Sequence, residues 1–484
     1  VEPERDAQGE WLRVSLDIAG HAVHARIWRA QVGRVRVYLL DTNCEDNAPG
    51  DRDITHRLYG GDEHTRIRQE MVLGIGGVRA LRMLGLEPAV WHINEGHAAF
   101  LILERIREEV ARGVPADVAL EAVAAQCAFT THTPVAAGHD RFTHHLVREQ
   151  FGAYLDALGW PAAQVLALGR APDAPDEFNM TWLALNGARH VNGVSRVHRH
   201  VSAELYARRW PELTTDENPV GFVTNGVHVP TFLHQSWAEF FDRHLPSDWQ
   251  QRLSDTAMWS ALHRVPDVDF WAASQDVKAR MFRAARARLQ AEFVTKGMSS
   301  AQSRQVARLL DPERPDVLTI GFARRFATYK RAALLLHDRP RLARLLNDPA
   351  RPALLLFAGK AHPADEPGKA VLREIKQLML DPEFAGRVVF LDDYDMRLAR
   401  ALVSGCDVWL NNPVAPLEAS GTSGIKAAAN GTLNLSILDG WWAEAFDGMN
   451  GWGLSPVSVQ DPGRRDALEA ESVLDTLEEE VLPL

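Results

Sequence analysis

The sequence predicts an α/β protein with more than one domain, and three observations lead to this fold class. The chain has 484 residues, which is too long for one compact core, so two or three domains are expected. Apolar residues make up 46% of the chain and charged residues 24%, the composition of a globular protein. In the second half, short apolar runs alternate with amphipathic helical patterns, which indicates a doubly wound parallel sheet.

The second half carries the clearest alternation. Apolar, β-branched runs predict strands at 316–323, 353–360, 387–393, 407–412 and 432–438. Helical patterns at 328–346, 368–380 and 396–405 lie between them. Ligands of such sheets bind at the carboxyl ends of the strands, so motifs at these ends are candidates for function.

The first half is more helical and less regular. Helical spacing over 66–85 is interrupted by GIGG (74–77), for which close helix packing is favoured over a phosphate loop, because the segment does not follow a strand. The run at 89–94 resembles a strand. We predict an N-terminal domain over residues 1–235 and a C-terminal domain over 236–484, with a ligand in the cleft between them.

Bulk properties exclude several classes of function. The formal charge of −11 provides no basic surface for nucleic acid. The sequence has no long apolar run and no export signal, so no membrane association is expected. Cys44, Cys127 and Cys406 are far apart and lack metal-ligand spacing, which suits a reducing cytoplasm. A cytoplasmic protein without a metal is predicted.

One lysine, Lys426, lies among small residues in EASGTSGIKAAANG (418–431). The glycines and hydroxyl residues before it would offer amides to an anion at the start of a helix. A phosphorylated aldehyde cofactor needs both such a cradle and an amine. This segment alone leaves a solvated lysine after a Gly-rich turn as the favoured alternative.

A second cationic cluster lies in GFARRFATYKR (321–331). Arg324 and Arg325 follow a predicted strand directly, and Lys330 and Arg331 open the next predicted helix. Arginine and lysine together suit an inorganic or sugar phosphate. Solvated surface charges are the equally weighted alternative.

Histidines gather in WHINEGH (91–97), FTTHTPVAAGHD (129–140) and HVNGVSRVHRHV (190–201). None has the helical HExxH spacing of a zinc site. In a carbohydrate pocket, Glu95, His97 and His132 would contact sugar hydroxyls, whereas a lone histidine is more often a hydrogen-bonded core residue. His198 and His200 do not distinguish these alternatives.

Taken together, these segments resemble the glycogen and α-glucan phosphorylase family, in particular its shorter bacterial and archaeal type. The resemblance runs over essentially the whole chain, in the family's order, through WHINEGHAAF, FTTHTPVAAGHDRF, VNGVSRVH, TNGVHVP, ARRFATYKR, LFAGKAHP and EASGTSGIKAAANGTLNLSILDGWW. It implies two Rossmann-like domains that face a cleft, the GT-B type of glycosyltransferase architecture.

The resemblance also implies a cofactor and its site. Lys426 matches the lysine that holds pyridoxal 5′-phosphate, and Gly421 and Thr422 match the turn that binds the cofactor's phosphate. Arg324 matches a basic position beside that phosphate, and Tyr394 matches a residue close to the cofactor.

The substrate residues follow from the same resemblance. Arg325 and Lys330 match the residues that hold the substrate phosphate. His132 matches the histidine that contacts the glucosyl unit, and Glu418 matches a residue that binds its hydroxyls.

The implied activity is phosphorolysis of a terminal α-1,4-linked glucose of glycogen or maltodextrin, with retention, to glucose 1-phosphate. The cofactor's phosphate would relay a proton to inorganic phosphate, so no pair of protein carboxylates is needed. The oligomeric state stays open, with a homo-oligomer as one alternative.

Two other functions compete with this interpretation. A catalytically weak or inactive glucan-binding fragment is the first. A nucleotide-sugar glycogen synthase is the second, but those enzymes carry a glutamate where Lys426 stands.

The chain departs from the family at its ends. It starts without methionine and closes on an acidic helix, and nothing in it matches the family's N-terminal Gly-Gly-Leu-Gly loop, whose amides face the substrate. Both ends are therefore expected to be cut. Since loss of one preorganised donor lowers a rate about 10²-fold or more, low activity is expected of the chain as given.

Overall fold

The computed structural model of the chain describes residues 1–57, 61–135, 138–297, 299–363 and 365–483. These residues form two compact units, Val1–Val223 and Thr224–Leu484. The second unit thus begins before the domain boundary predicted after residue 235. The side chain of Asn430 attaches this early part, since it donates to the Phe232 carbonyl at 2.9 Å and accepts from the His234 amide at 2.8 Å. The roles predicted for the two domains stay predictions.

The first unit contains short strands and helices within the described residues. The strands are β1 (Glu2–Pro3), β2 (Arg13–Ile18), β3 (His21–Val32), β4 (Val35–Asp41), β5 (Trp91–Asn94), β6 (Cys127–Thr130), β7 (Arg141–Thr143), β8 (Glu177–Asn179), β9 (His190–Gly193) and β10 (Gly221–Phe222). The α-helices are α1 (Pro49–Arg52), α2 (Glu63–Met71), α3 (Gly77–Met83), α4 (Phe100–Ala111), α5 (Ala116–Ala125), α6 (His144–Phe151), α7 (Ala162–Ala167), α8 (Met180–Gly187) and α9 (Arg196–Leu205).

A parallel sheet with the strand order β10-β9-β6-β5 lies at the centre of the first unit. Its apolar side chains form the core, and Ile93 of β5 and Phe129 of β6, which are register partners, are fully buried. Polar residues follow at the carboxyl ends of these strands, where β5 ends at Asn94 and β6 at Thr130. An antiparallel sheet, β1-β3-β2 with β4 on the other side of β3, packs its buried face against the same core.

The GIGG segment belongs to a continuous helical stretch. A π-helical turn, Val72–Gly76, joins α2 to α3. A Cβ atom at Gly74 would lie 2.8 Å from the amide nitrogen of Leu101 on α4, so a side chain there would prevent the two helical segments from packing. The prediction of close helix packing is confirmed.

The second unit contains one larger sheet and longer helices within the described residues. The strands are β11 (Leu318–Ala323), β12 (Ala353–Ala358), β13 (Val388–Leu391), β14 (Val408–Asn411), β15 (Leu433–Ile437) and β16 (Gly451–Leu454). The α-helices are α10 (Val229–Phe232), α11 (Gln235–His244), α12 (Thr256–Trp259), α13 (Asp267–Thr295), α14 (Ser300–Val306), α15 (Arg339–Leu346), α16 (Glu366–Leu380), α17 (Met396–Gly405), α18 (Thr422–Ala428), α19 (Trp442–Ala445) and α20 (Pro462–Thr476).

The sheet of the second unit is parallel throughout and has the order β13-β12-β11-β14-β15-β16. The α/β class and all five strands predicted for this half are confirmed. Because the chain runs outward from β11 to β13 and then returns to β14 on the other side, the strand order reverses between β11 and β14. Ligands of doubly wound sheets bind at such a switch point. None of the described helices is long and apolar enough to span a bilayer.

The helix predicted over 328–346 is wrong. Two 3-10 turns, Thr328–Lys330 and Leu334–Asp338, precede α15, which begins only at Arg339. Arg331 ends the first turn in the left-handed region with φ of 48°. Pro340 stands in the first turn of α15, where its missing N–H is tolerated, and it could not lie deeper in a helix.

Candidate functional site

In the first unit, Glu95 follows β5, and its carboxylate binds residues of the loop after β6. Its Oε2 accepts hydrogen bonds from the His132 amide at 2.7 Å and from the Thr133 hydroxyl at 2.9 Å. Its Oε1 accepts from the Gly96 amide at 3.2 Å. Glu95 adopts φ of 67°, a strained value for a residue with a side chain, which persists because these bonds fix it. Glu95 therefore positions His132.

The His132 side chain is also fixed within this unit. Its Nε2 lies 2.6 Å from the Asn94 Oδ1, which can only accept, so Nε2 carries the ring proton. Burial lowers the pKa of His132, which keeps the ring neutral near pH 7. Residues 136 and 137 of the predicted segment lie outside the described residues. Asn94, which the sequence did not single out, belongs to this group.

His97 belongs to a neighbouring ion-pair network. Its Nδ1 lies 3.0 Å from the Asp140 Oδ2, and the Arg66 guanidinium is 3.0 Å from both Asp140 and Glu70. Burial and the charge of Asp140 raise the pKa of Glu70 well above its usual range. Against its own burial, the hydrogen bonds from His97 and Arg66 lower the pKa of Asp140. The sequence signalled neither Arg66 nor Asp140, because their positions have no spacing typical of a site.

This network has the residue types of a metal site but already contains a cation. Ligand atoms of Glu70, His97 and Asp140 lie within 4.8 Å of one another. The Arg66 guanidinium, however, pairs with both carboxylates and supplies the positive charge that a metal ion would bring. The arrangement is therefore explained as an ion-pair network.

In the second unit, Arg324 leaves β11 at the switch point and reaches across to the next strand. It donates to the Asn411 Oδ1, and its Nη2 lies 3.3 Å from both the Leu410 carbonyl and the Ser423 hydroxyl. The side chain is buried, and its Nε has no hydrogen-bond partner within the described part of the chain. Burial lowers the pKa of Arg324. A buried cation with an unused donor is suited to an anion.

Lys330 and Glu418 form the second part of this group. The Lys330 Nζ lies 2.8 and 2.6 Å from the two Glu418 carboxylate oxygens, and the Arg324 Nη1 lies 3.6 Å from the nearer one. Asp439, which follows β15, accepts from the Glu418 amide at 2.9 Å and from the Gly440 amide at 2.8 Å. Burial raises the pKa of Asp439 to about 6. Asp439 thus positions Glu418, a role that the sequence did not indicate.

Arg325 and Arg331, which follow Arg324 and Lys330 in the sequence, differ from each other in burial and in partners. Arg325 is exposed and forms no hydrogen bond or ion pair with any described residue, so it is available to a ligand. Arg331 is buried and donates to the carbonyl oxygens of Asn412 at 3.0 Å and Pro413 at 2.7 Å, and it pairs with Asp466 at 2.8 Å and with Glu469. The sequence grouped Arg331 with the converging cations, but it serves as a structural anchor.

Lys426 lies in α18, the helix whose Ser423 contacts Arg324. Its Nζ is 4.5 Å from the centroid of the Phe232 ring, and it has no acidic partner among the described residues. Burial lowers the pKa of Lys426, because desolvation disfavours the ammonium form. The amine role expected of Lys426 stays a prediction, and a desolvated lysine without an acidic partner among the described residues is compatible with it.

The residues just before Lys426, from Gly421 to Gly424, pack tightly against other parts of the second unit. Gly421 precedes Thr422 with φ of 85°, which favours glycine. A Cβ atom at Gly424 would lie 2.6 Å from the Asn434 Oδ1 and 2.9 Å from the Trp441 Nε1. Small residues are therefore required here by contact.

Tyr394 follows β13 and packs at the edge of the core. Its hydroxyl lies 3.5 Å from the Ala323 carbonyl oxygen, at the limit of a hydrogen bond. Burial raises the pKa of Tyr394. The structure thus places Tyr394 next to Ala323, which is the last residue of β11 and directly precedes Arg324 in the sequence.

His198 and His200, which follow β9, differ from His132. The His198 Nδ1 accepts from the Val194 amide at 3.2 Å, and burial lowers the pKa of His198 to about 4. His200 is exposed. Neither lies in the group formed by Asn94, Glu95 and His132 as a hydrogen-bonded member.

Comparisons with known proteins show which family this chain is similar to. A family model described as carbohydrate phosphorylase matches residues 166–449. The chain is 45% identical to the glycogen phosphorylase of Mycobacterium bovis over 99% of this chain and 56% of that protein. It is 41% identical to the maltodextrin phosphorylase of Thermococcus litoralis, over 100% of this chain and 57% of that protein. It is 40% identical to the glycogen phosphorylase of Aquifex aeolicus, over 100% of this chain and 69% of that protein. The chain spans little more than half the length of the first two relatives.

Proposed function

The chain belongs to the carbohydrate phosphorylase family, and we propose that it carries out the phosphorolysis of α-1,4-glucans. Terminal glucose units of glycogen or maltodextrin would be released, with retention, as glucose 1-phosphate. The observation that carries this proposal is the gathering of buried cations at the switch point of the second unit, where Arg324 joins β14 to the helix of Lys426. The relatives named above are glycogen and maltodextrin phosphorylases.

The residues around Lys426 fit pyridoxal 5′-phosphate. Lys426 offers an amine without an acidic partner among the described residues, and its lowered pKa increases the uncharged, nucleophilic fraction. Gly421 and Thr422 form the tight turn in front of it, and Arg324 offers the unused Nε donor to an anion. Tyr394 lies beside the end of β11. When bound, the cofactor supplies a phosphate group that can pass a proton.

Lys330 and Arg325 are proposed to hold the substrate phosphate. Lys330 has three N–H donors and gives two to Glu418, which leaves one for a phosphate oxygen. Arg325, which is exposed and has no described partner, contributes a planar pair of donors. A dianion between these cations is stabilised as the bond to the leaving glucan breaks.

Glu418 and His132 are proposed to bind the glucosyl unit. Glu418 retains free lone pairs beyond those facing Lys330, and its backbone is fixed by Asp439. His132 is neutral and is held by Asn94 and Glu95, so it meets a sugar hydroxyl in a fixed orientation. Glu95 and His97 contribute by holding the loops in which they lie.

The proposed setting of the enzyme follows from the same features. Its partners are α-1,4-glucan, inorganic phosphate and glucose 1-phosphate. The free, buried cysteines Cys44, Cys127 and Cys406 support a reducing compartment, and we propose the cytoplasm. No nucleic acid or membrane partner is proposed.

A labelling experiment tests the cofactor site directly. The chain is purified with pyridoxal 5′-phosphate, reduced with borohydride and digested, and the modified peptide is mapped by mass spectrometry. We expect the label on Lys426 in the wild type and in Lys330→Ala, and no label in Lys426→Ala. A label on another lysine in the wild type would overturn the assignment. Release of glucose 1-phosphate from maltodextrin is then measured on the same preparations.

A further inference from the structure

A cavity of about 520 Å³ lies in the second unit, apart from the residues assigned above. Its walls are formed by the GKA segment (359–361) after β12, the last two turns of α13, helix α16 and the residues after β13. The loop sequence AGKAHP was singled out in the sequence, but the proposed function makes no use of it. The cavity therefore needs an explanation of its own.

The cavity lies where the fold favours ligands. Gly359 and Lys360 follow β12 directly, and Asp392 and Asp393 follow β13. Both pairs thus stand at carboxyl ends of neighbouring parallel strands. Arg324, Lys330, Glu418 and Lys426 are not part of its wall.

Cations surround the cavity, and one of them is unpaired. Lys360 is exposed and has no ion-pair partner within the described ranges of the chain. Lys369 of α16 pairs only with the exposed Glu366 at 2.6 Å. Such a surface pair contributes little free energy, so Lys369 can turn to a ligand at low cost. Arg288 of α13 completes the cationic side and is held by Asp395 at 2.8 Å.

The opposite wall is acidic and largely neutralised. Lys296 pairs with Glu292 and lies 3.0 Å from Asp392, and Lys376 also pairs with Asp392. Burial and a hydrogen bond shared with Asp392 raise the pKa of Glu292, while the lysines beside these two carboxyl groups offset their negative charge. Asp393 remains 84% exposed and can accept hydrogen bonds from hydroxyl groups.

The loop that presents Lys360 is rigid. The carbonyl oxygen of Lys360 accepts a hydrogen bond from the Phe326 amide at 2.9 Å. A Cβ atom at Gly359 would overlap the carbonyl oxygen of Arg324, so the loop lies directly against the chain that leaves β11. A cation on a fixed backbone loses little entropy when it binds a ligand.

We propose that this cavity binds a phosphate monoester on a hydroxylated ring, the chemistry shared by sugar phosphates and nucleoside monophosphates. Lys360 and Lys369 hold the phosphate, and Asp393 accepts from the ring hydroxyls. Carboxylates at strand ends bind ribose hydroxyls in this manner in dinucleotide-binding folds. The site is distinct from the phosphate site proposed above and does not depend on the proposed function.

Calorimetric titration of the full chain tests the site. The probes are glucose 6-phosphate, uridine 5′-monophosphate, inorganic phosphate and glucose. We expect at least one ester to bind about tenfold more tightly than either inorganic phosphate or glucose, and the better ester identifies the source. In the double variant Lys360→Ala/Lys369→Ala, that ester should bind at least about tenfold more weakly.

Two variants serve as controls. Arg373→Ala removes an exposed cation of α16 that does not line the cavity, and it should leave binding unchanged. Lys330→Ala removes a cation of the proposed catalytic site and should also leave binding unchanged, which separates the two sites. Thermal unfolding of each variant confirms that it is folded. The proposal is overturned if neither ester binds, if inorganic phosphate binds as tightly as both esters, or if only Lys330→Ala weakens binding.

Discussion

The polar groups of the two units differ in how they are satisfied. In the first unit, Asn94, Glu95 and His132 hold one another through short hydrogen bonds. In the second unit, Arg324 keeps a donor without a partner, and Lys426 has no acidic neighbour among the described residues. The first group is complete without a ligand, whereas the second has more positive than negative charge.

This difference indicates what each group contributes. Hydrogen bonds within the first group fix the orientation of its side chains, which is what the proposed contact with sugar hydroxyls requires. A buried arginine with an unused donor and a half-buried lysine without an acidic partner lower stability, and the anion proposed to bind at the switch point would account for their retention. Substitutions should therefore affect stability where partners are complete and ligand binding where they are not.

The largest effect on stability is expected at Arg331, a cation whose partners are complete. Arg331→Met leaves the buried Glu469 without its ion pair, and we expect a loss of about 3–5 kcal/mol in the free energy of unfolding. Arg344→Met is the matched control, because the exposed pair of Arg344 with Glu478 is screened by solvent and contributes little to stability. Urea denaturation measures both. Equal losses would contradict the distinction between anchored and available cations.

The next effect concerns phosphate. Lys330→Ala or Arg325→Ala should weaken the binding of inorganic phosphate by about 10- to 100-fold, because a charge-assisted contact is lost. The binding of glucan should be affected much less. The specificity constants for phosphate and for glucan, measured in each variant, compare the two losses. Arg351→Ala, an exposed cation before the start of β12, should change neither. A similar loss for both substrates would count against the phosphate assignment.

Acid should weaken the first unit through His198. Its folded pKa of about 4 lies below the ordinary histidine pKa of 6.5, so the unfolded chain binds the proton first. The contribution of His198 is therefore complete above about pH 6.5 and declines as the pH falls toward about 4, by up to about 3 kcal/mol. Denaturation at pH 7 and pH 5 measures it. His198→Asn should reduce this dependence, and His200→Asn, at an exposed position, should retain it.

Acid should act in the opposite direction on Asp439 of the second unit. Its folded pKa of about 6 lies above the ordinary aspartate pKa of 3.8. Its contribution to stability is complete below about pH 3.8 and is lost as the pH rises through about 6, by an estimated 1–3 kcal/mol. In Asp439→Asn, stability at pH 7 relative to pH 5 should increase compared with the wild type. A larger acid loss in the wild type than in this variant would contradict the assignment.

The five strands predicted for the second unit could be read from the sequence because each carries its signal locally. Runs such as those of β11 and β12 are apolar over their whole length, as a strand buried on both faces requires. Strand β16 was missed because Gly451–Leu454 contains two glycines and one tryptophan and lacks a β-branched run. The helix expected over 328–346 failed because Arg331 is held by Asp466, which is 135 positions away.

The site was only partly predictable for the same reason. Lys426 and Lys330 lie in compact motifs, which made them candidates, although their neighbours alone left solvated charges as an alternative. Asp439 and Arg66 act through partners that are distant in sequence, and an isolated acid or arginine has no distinguishing pattern. The resemblance to a family supplied residue roles, whereas the contacts that hold those residues required the structure.

The position of β11 also affects how the protein is made. β12 follows β11 directly, but β14 begins only at Val408, after β12, β13 and α17 have left the ribosome. Until then, one edge of an apolar strand is unpaired, and such edges promote aggregation during synthesis. Glu418 and Asp439 emerge later still, so the anion site is assembled only after β14 and β15 have been made. A nascent chain that stalls before Val408 would therefore expose both a bare strand edge and cations that have not yet met their acidic partners.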